Sequence, residues 1–319
     1  MADRSNSPAA FIEPELATLV AEPPKGDEWL HEIKLDGYRI ECLLERGRTR
    51  LITRSGLDWT DRFPGVAAAA AAVPARRAIL DGEVVVLLPD GRTSFRALQL
   101  ALKGEAAGPM TYFVFDLLEL DGRDLRRLSL IERKDLLADL LRGRRRGSKL
   151  VRFSDHVEGH GETVYARACK AGLEGIISKR IDSTYSSART RAWLKVKCMN
   201  RQEFVVVGFT DPKGGRGGFG ALLLGVHNGR GLTYAGKVGT GFSDALLRDT
   251  RRELDRLIRK EPTVDAGPDG RRAHWVEPKK VAEVMFTEWT DDGRLRHPAF
   301  VGFREDKPAR QVRRERAAR

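Results

Sequence analysis

Cysteine is scarce: Cys42, Cys169 and Cys198 are the only three in 319 residues, and no C-x-x-C pair occurs. Such a scatter argues against a disulfide scaffold or a zinc site and fits free thiols in a reducing compartment. Long apolar runs are absent too. No stretch approaches the ~20 residues that span a bilayer, and Met1 to Ala10 has no signal-peptide core. No membrane partner is expected, and a cytoplasmic location is. His156 and His160 lack the grammar of a metalloprotease and sit among glycines, which reads as a polar loop. Acidic charge is in deficit, with 45 Asp and Glu against 57 Lys and Arg, a net +12. A surplus of that sign favours an anionic partner such as nucleic acid or a phosphate-rich substrate, without choosing between them.

Hydrophobic residues make up 41% and charged residues 32%, the balance of a globular chain long enough for two domains. After a loose tail over 1–10, Phe11 to Lys25 carries Pro14, Pro23 and Pro24 and reads as an extended lead-in. Strands are expected over Trp29–Ile33, Arg39–Leu44, Arg50–Thr53, Met110–Leu120 and Trp193–Lys197. Ala78–Leu88 reads as a strand pair turning at Asp81-Gly82-Glu83, because Asp-Gly is a common hairpin turn. Helices are expected over about Phe63–Val73, Ser94–Leu102, Leu130–Leu141 and Gly161–Ala171. Arg142 to Arg146 would be a solvated helix end or a phosphate contact.

Composition shifts near residue 200, where a domain boundary is expected. Short strands and Gly-rich turns at 214–220, 229–231 and 239–241 follow, with a helix over Ser243–Lys260 and strands near 281–288 and 299–304. A small five-stranded Greek-key barrel with one helix, an OB-fold, matches this pattern. Residues 201–319 hold 24 basic and 17 acidic residues, so +7 of the +12 lies there, including a basic C-terminal tail.

Six ordered stretches carry chemistry. In His31-Glu32-Ile33-Lys34-Leu35-Asp36-Gly37-Tyr38-Arg39, an amine, a carboxylate and a guanidinium are presented at one turn. Alone, such a lysine is more often a solvated strand residue. Arg54 stands at a strand end, where a guanidinium can grip a phosphate with two hydrogen bonds. Glu83 follows Gly82, and Phe115 lies among core aromatics. Glu174 opens Glu174-Gly175-Ile176-Ile177-Ser178-Lys179-Arg180. Lys195 and Lys197 share one strand face, where an anion would relieve their repulsion. Arg304-Glu305-Asp306-Lys307 closes the series.

In this order and spacing the chain resembles the covalent nucleotidyltransferases: DNA ligases, RNA ligases and mRNA capping enzymes. The resemblance runs from about residue 11 to 308. Within that superfamily it resembles the ATP-dependent ligase module of bacterial ligase D, the end-joining enzyme, through ATLVAEPP, WLHEIKLDGYR, EGIISKR, YAGKVGTGF and LRHPAFVGFREDKP. One departure is Ala188-Arg189-Thr190, where the family usually has Gly-Arg-Ser.

The resemblance implies an α+β fold. An adenylation (nucleotidyltransferase) domain of mainly antiparallel sheets with flanking helices would span 1–200, and an OB-fold β-barrel 201–319. It implies that Lys34 attacks the α-phosphate of ATP to form lysyl-AMP, which passes to a DNA 5′-phosphate before a 3′-hydroxyl seals the break. Arg39 and Glu83 would hold the ribose, Phe115 would stack on adenine, and the backbone of Glu32 and Ile33 would read its edge. Lys179 would join the nucleotide site, with Lys195 and Lys197 on the α-phosphate. Glu174, Asp36 and Glu83 would bind Mg²⁺ or Mn²⁺, and Arg54 the 5′-phosphate. Arg304, Asp306 and Lys307 would orient pyrophosphate in the first step. A free lysine of pKa about 10.4 is less than ~0.1% neutral at pH 7. Its activation by Arg39, Lys195, Lys197 and a metal is therefore expected, and Asp36 is not expected to pair with it permanently.

Expected partners are nicked or broken double-stranded DNA, with bacterial Ku and a separate repair polymerase acting beside a monomer in the nucleoid. An RNA ligase or GTP-using capping enzyme shares Lys34 and the Lys-x-Lys. An inactive DNA-binding scaffold would bind DNA without forming lysyl-AMP.

Overall fold

The computed structural model describes residues 10–105, 108–143, 149–212, 217–229, 231–264 and 273–318. Most of the expected loose tail, Arg144 to Arg146, Gly214-Gly215 and residue 230 lie outside them. The chain divides into two units. The first ends at Cys198 and also takes in Ala317 and Ala318; the second is Met199–Arg316.

Eleven strands build the first unit. They are β1 (Leu16–Leu19), β2 (Trp29–Ile33), β3 (Tyr38–Glu45), β4 (Arg48–Thr53), β5 (Arg77–Val86), β6 (Met110–Leu120), β7 (Arg123–Asp124), β8 (Val151–Phe153), β9 (Val157–Glu158), β10 (Gly175–Arg180) and β11 (Arg189–Lys197). Between them run α1 (Pro64–Ala71), α2 (Phe95–Leu102), α3 (Leu130–Arg142) and α4 (Gly161–Lys170). One sheet has the order β1-β11-β10-β2-β9; the other has β4-β3-β5-β6-β7, with β8 beside β6. Leu43, Ile52, Ile79, Phe115 and Leu118 of the second sheet pack on Trp193 of the first.

Helix starts follow their local chemistry. Ser94 Oγ accepts from the Ala97 amide, and Ser129 with Glu132 forms a capping box at α3. Asp81-Gly82-Glu83 is not a turn, contrary to expectation. It lies inside one ten-residue strand buried almost throughout. Gly82 is there for a close approach: a Cβ at that position would meet the Tyr112 ring at 2.5 Å. Tyr112 is fully buried, donating to the carbonyls of Ile40 and Leu80, so it cannot stack on a base.

A second correction concerns the cysteines. Cys169 on α4 and Cys198 after β11 form a disulfide, with Cα atoms 5.2 Å apart. Packing of α4 against β10 brings together two residues that are 29 apart in sequence. Cys42 remains a buried thiol, whose pKa burial pushes up to about 12.

In the second unit, β12 (Asn200–Thr210), β13 (Leu222–His227), β14 (Leu232–Val238), β15 (Ile258–Arg259), β16 (Ala273–Val276), β17 (Val281–Phe286), β18 (Glu288–Trp289), β19 (Leu295–Arg296) and β20 (Ala299–Arg304) surround one apolar core with α5 (Asp244–Asp255). Five long strands, β12, β13, β14, β17 and β20, correspond to the expected barrel. Short β15 and β16 extend their sheet to seven. Helix α5 ends at Asp255, earlier than expected, because Ile258 and Arg259 pair with β16 as β15.

Candidate active site

Register builds the site. Across β10, Ile177 faces Glu32 on β2 and Lys195 on β11, while Lys179 faces Leu30 and Trp193, and Gly175 faces Lys197. Directly opposed residues project from the same face of an antiparallel pair. Glu32, Ile177, Lys179, Trp193, Lys195 and Lys197 therefore share one face, and Lys34 continues it. His31 and Ser178 take the other face, bonded to each other at 2.8 Å.

A cavity between the sheets is lined by Glu32, Ile33, Lys34, Ile177, Lys179 and Trp193 from the first, and by Arg39, Glu83 and Phe115 from the second. Ala17, Leu35 and Ser154 complete it. The Lys34 amide donates to the Gly175 carbonyl at 2.9 Å. Ile33, one residue earlier, turns its N–H and C=O away from β10, toward the side where pairing with β9 stops at His31.

The Lys34 ammonium pairs with Glu174 at 2.8 Å. Burial works against the charged amine, but Glu174, Glu83 and Asp36 outweigh it, and the Lys34 pKa stands above the ordinary lysine value. This overturns the expected activation by neighbouring cations: carboxylates, not Lys195 and Lys197, dominate the field at this amine. Asp36 is turned elsewhere, accepting from the Phe95 amide at the start of α2 at 3.1 Å. Glu83 accepts from the Gly37 amide at 3.0 Å.

Arg39 grips Asp81 with two hydrogen bonds, at 3.0 and 2.6 Å, and its guanidinium lies 5.3 Å from the Phe115 ring centroid. Glu32 is held by two lysines, Lys134 at 2.6 Å and Lys179 at 2.9 Å. The Lys179 ammonium lies over Phe115 and Trp193, 4.3 and 4.0 Å from their centroids.

Lys195 and Lys197 are on the right face but outside the cavity lining. Arg54 is half-buried on a turn closed by the Gly56 amide on the Thr53 carbonyl, also away from the lining. In the second unit, Arg304 binds Asp306 through two 2.8 Å bonds and Glu283 at 3.2 Å, while Lys307 pairs with Glu203 at 3.0 Å. The departure at Ala188 costs nothing in backbone terms, since no positive φ occurs there. Thr190 retains a hydroxyl, which donates to buried Glu15 at 3.1 Å.

Sequence reasoning missed Asp81, Trp193 and Lys134 as site residues. Trp193 was legible from its parity with Lys195 and Lys197. Nothing in the sequence around Lys134, on a helix about a hundred residues from Glu32, marked it. Among the described residues no three His, Cys, Asp or Glu side chains converge as a ready-made metal cage. Magnesium is usually held by one or two carboxylates completed by substrate phosphates and water, and Glu174 with Asp36 or Glu83 suits that donor set.

Two family profiles match. The ATP dependent DNA ligase domain covers residues 14–197, and the ATP dependent DNA ligase C terminal region covers 215–307. The chain belongs to the ATP-dependent DNA ligases. Among its relatives, the multifunctional non-homologous end joining protein LigD of Pseudomonas aeruginosa is 46% identical over 97% of this ligase chain. The LigD of Mycolicibacterium smegmatis is 35% identical over 98%. The ligase chain spans only 37% and 41% of those two proteins. A solved structure of mycobacterial DNA ligase D complexed with ATP and MES superposes with a TM-score of 0.71 at 35% identity, covering 95% of this chain and 98% of that one. The adenylation-type unit followed by an OB-fold unit, α+β with mainly antiparallel sheets, is thus the ligase architecture.

Proposed function

We propose that this chain seals 5′-phosphate/3′-hydroxyl breaks in duplex DNA with ATP, through lysyl-AMP on Lys34, in repair by end joining. The observation that carries the reading is the Lys34 amine in the cavity between the two sheets, beside Phe115, Trp193 and the Ile33 backbone.

In the first step the Lys34 nitrogen attacks the α-phosphorus. A P–N bond forms and the P–O bond to pyrophosphate breaks; of the two protons that the ammonium loses, the second goes to solvent, and the first must leave before attack. Glu174, 2.8 Å away, is the nearest acceptor for that proton. In the second step a DNA 5′-phosphate oxygen displaces Lys34 from the adenylate. In the third, the 3′-hydroxyl attacks that 5′-phosphate and AMP departs. Mg²⁺ or Mn²⁺ would supply charge neutralisation at the phosphates, held by Glu174 with Asp36 or Glu83.

Phe115 would stack on adenine, with Trp193 packed edge-on against it; Arg39 and Glu83 would hold the ribose, Lys179, Lys195 and Lys197 the phosphates, and Arg54 the 5′-phosphate of the break. Arg304, Asp306 and Lys307 would act in the first step alone. Ku and a repair polymerase are the proposed partners, on the ground that the relatives are named as end-joining proteins.

The test is incubation with Mg²⁺ and α-labelled ATP or GTP, followed by denaturation. Label from ATP alone, absent from Lys34→Ala, supports the reading. Label from GTP moves it to a capping-type enzyme, and DNA binding with no label points to an inactive scaffold.

A further inference from the structure

Glu32, Lys179 and Lys134 are an ionic trio with side chains at most 3% exposed. Withdrawing three charges from water costs several kcal/mol per ion, and well-packed apolar residues usually serve stability as well or better. Retaining such a trio at the floor of a ligand cavity calls for another reason. Glu32 and Lys179 line the cavity, as does Ser154. Lys134 lies behind them on α3. Its ammonium donates to Glu32 Oε1 at 2.6 Å and to the Ser154 carbonyl at 3.1 Å. The Ser154 amide in turn donates to the Val114 carbonyl on β6, next to Phe115. One ammonium thus ties the strand that carries Ile33 and leads to Lys34 to the wall that carries Phe115. By occupying one Glu32 oxygen it leaves the other for Lys179 at 2.9 Å, which keeps the Lys179 ammonium over Phe115 and Trp193.

We infer that Lys134 is a positioning residue for the nucleotide base, acting through Glu32 and Ser154 on the strand edge and the aromatic wall of the cavity. The inference rests on the reading that this cavity takes ATP. Lys134 touches none of the reacting atoms, so its loss should weaken nucleotide binding while leaving attack by Lys34 intact. The trio's charge balance adds a second signature. Burial favours the neutral Glu32 carboxyl, but the two ammoniums outweigh it and hold the group below the ordinary carboxylate range. With Lys134 replaced by Met, one ammonium remains and the carboxylate pKa rises. A protonated Glu32 then puts no negative charge on the lining of a cavity that takes an anion. The variant should therefore bind ATP better at low pH than at high pH.

The experiment is single-turnover labelling of the whole chain by α-labelled ATP across a concentration series, for the wild type, Lys134→Met and Lys134→Arg. Lys134→Met should raise the half-saturating ATP concentration about tenfold or more with the saturated rate little changed, a loss worth about 1.4 kcal/mol. The ratio of variant to wild-type half-saturation should grow as pH rises, the direction expected of a carboxyl losing its proton, with His156, whose charge acts on the same trio, replaced by Gln in both proteins. Lys134→Arg, which keeps the charge, should restore much of the affinity. A saturated rate that falls as far as the affinity, or a ratio flat with pH, overturns the inference.

If Lys134→Met does not fold, Lys134→Gln decides. Its neutral, shorter side chain leaves Glu32 with the Lys179 ammonium alone, so weakened ATP binding at a little-changed saturated rate supports the inference, and unchanged binding overturns it. Wild-type labelling is scored separately. An unlabelled wild type defeats the ligase reading itself, whereas a labelled wild type with unaltered Lys134→Met defeats only the role of Lys134.

Discussion

At the scale of single residues, Lys34, the proposed nucleophile, is held in an ion pair with Glu174. That carboxylate, with the charges of Glu83 and Asp36, raises the Lys34 pKa. Attack requires the pair with Glu174 to open. Glu174→Gln removes the carboxylate paired with Lys34 at 2.8 Å, so the Lys34 pKa should fall. Mass-spectrometric measurement of Lys34 acetylation against pH in the nucleotide-free chain checks this, with faster modification of the variant near neutrality as the expected outcome.

Glu41 is a second case. Burial pushes its carboxyl up to about 8 from 4.5, while it accepts from the Ile12 amide at 2.9 Å. A raised acid pKa means stability present at low pH and lost as pH climbs from about 4.5 through about 8. Glu41→Gln, which keeps the acceptor and cannot ionise, should melt higher than wild type at about pH 8, with the gap closing near pH 5.

At the scale of elements, α3 is tied down by charge as well as by Leu130, Leu137 and Leu141. Arg133 grips Asp116 of β6 through bonds of 2.7 and 2.9 Å, both side chains fully buried, and also donates to the carbonyls of Leu128 and Ser183. Removing one partner strands a buried charge. Arg133→Met should cost about 3–5 kcal/mol in urea unfolding, and a loss under about 1 kcal/mol would contradict that account. The Cys169–Cys198 link ties α4 to the end of β11, the strand carrying Lys195 and Lys197. Reduction should lower the unfolding midpoint, as should Cys198→Ser, which should also abolish the effect of reductant; a disulfide of this kind typically contributes about 2–4 kcal/mol.

At the scale of the whole molecule, the excess of +12 is the property that would meet DNA under the proposed function. Binding to a nicked duplex, followed by fluorescence anisotropy, should weaken by about a hundredfold or more between about 50 and 200 mM salt, because phosphate contacts release counterions. A salt-independent affinity would mean that the basic surplus is not the binding surface.

Much of this protein was readable in its sequence. Strand and helix positions follow from local periodicity and caps, as with Ser94 before α2 and the alternation of Trp193-Leu194-Lys195-Val196-Lys197. The order of the six stretches carried the ligase family, since each is a short local pattern that can be read without knowing its neighbours in space. Proximity between distant segments was left to the tertiary structure. Asp81-Gly82-Glu83 has the local chemistry of a turn, but two flanking strands and the Tyr112 ring make it strand interior. Cys169 meets Cys198 only because α4 packs on β10. Lys134 reaches Glu32 only because α3 lies behind the sheet. Likewise the charge state of Lys34 is set largely by Glu174 and Glu83, which come from segments distant in sequence. Local sequence determines backbone preference, whereas electrostatics and burial depend on which side chains the packed sheets bring within a few ångströms.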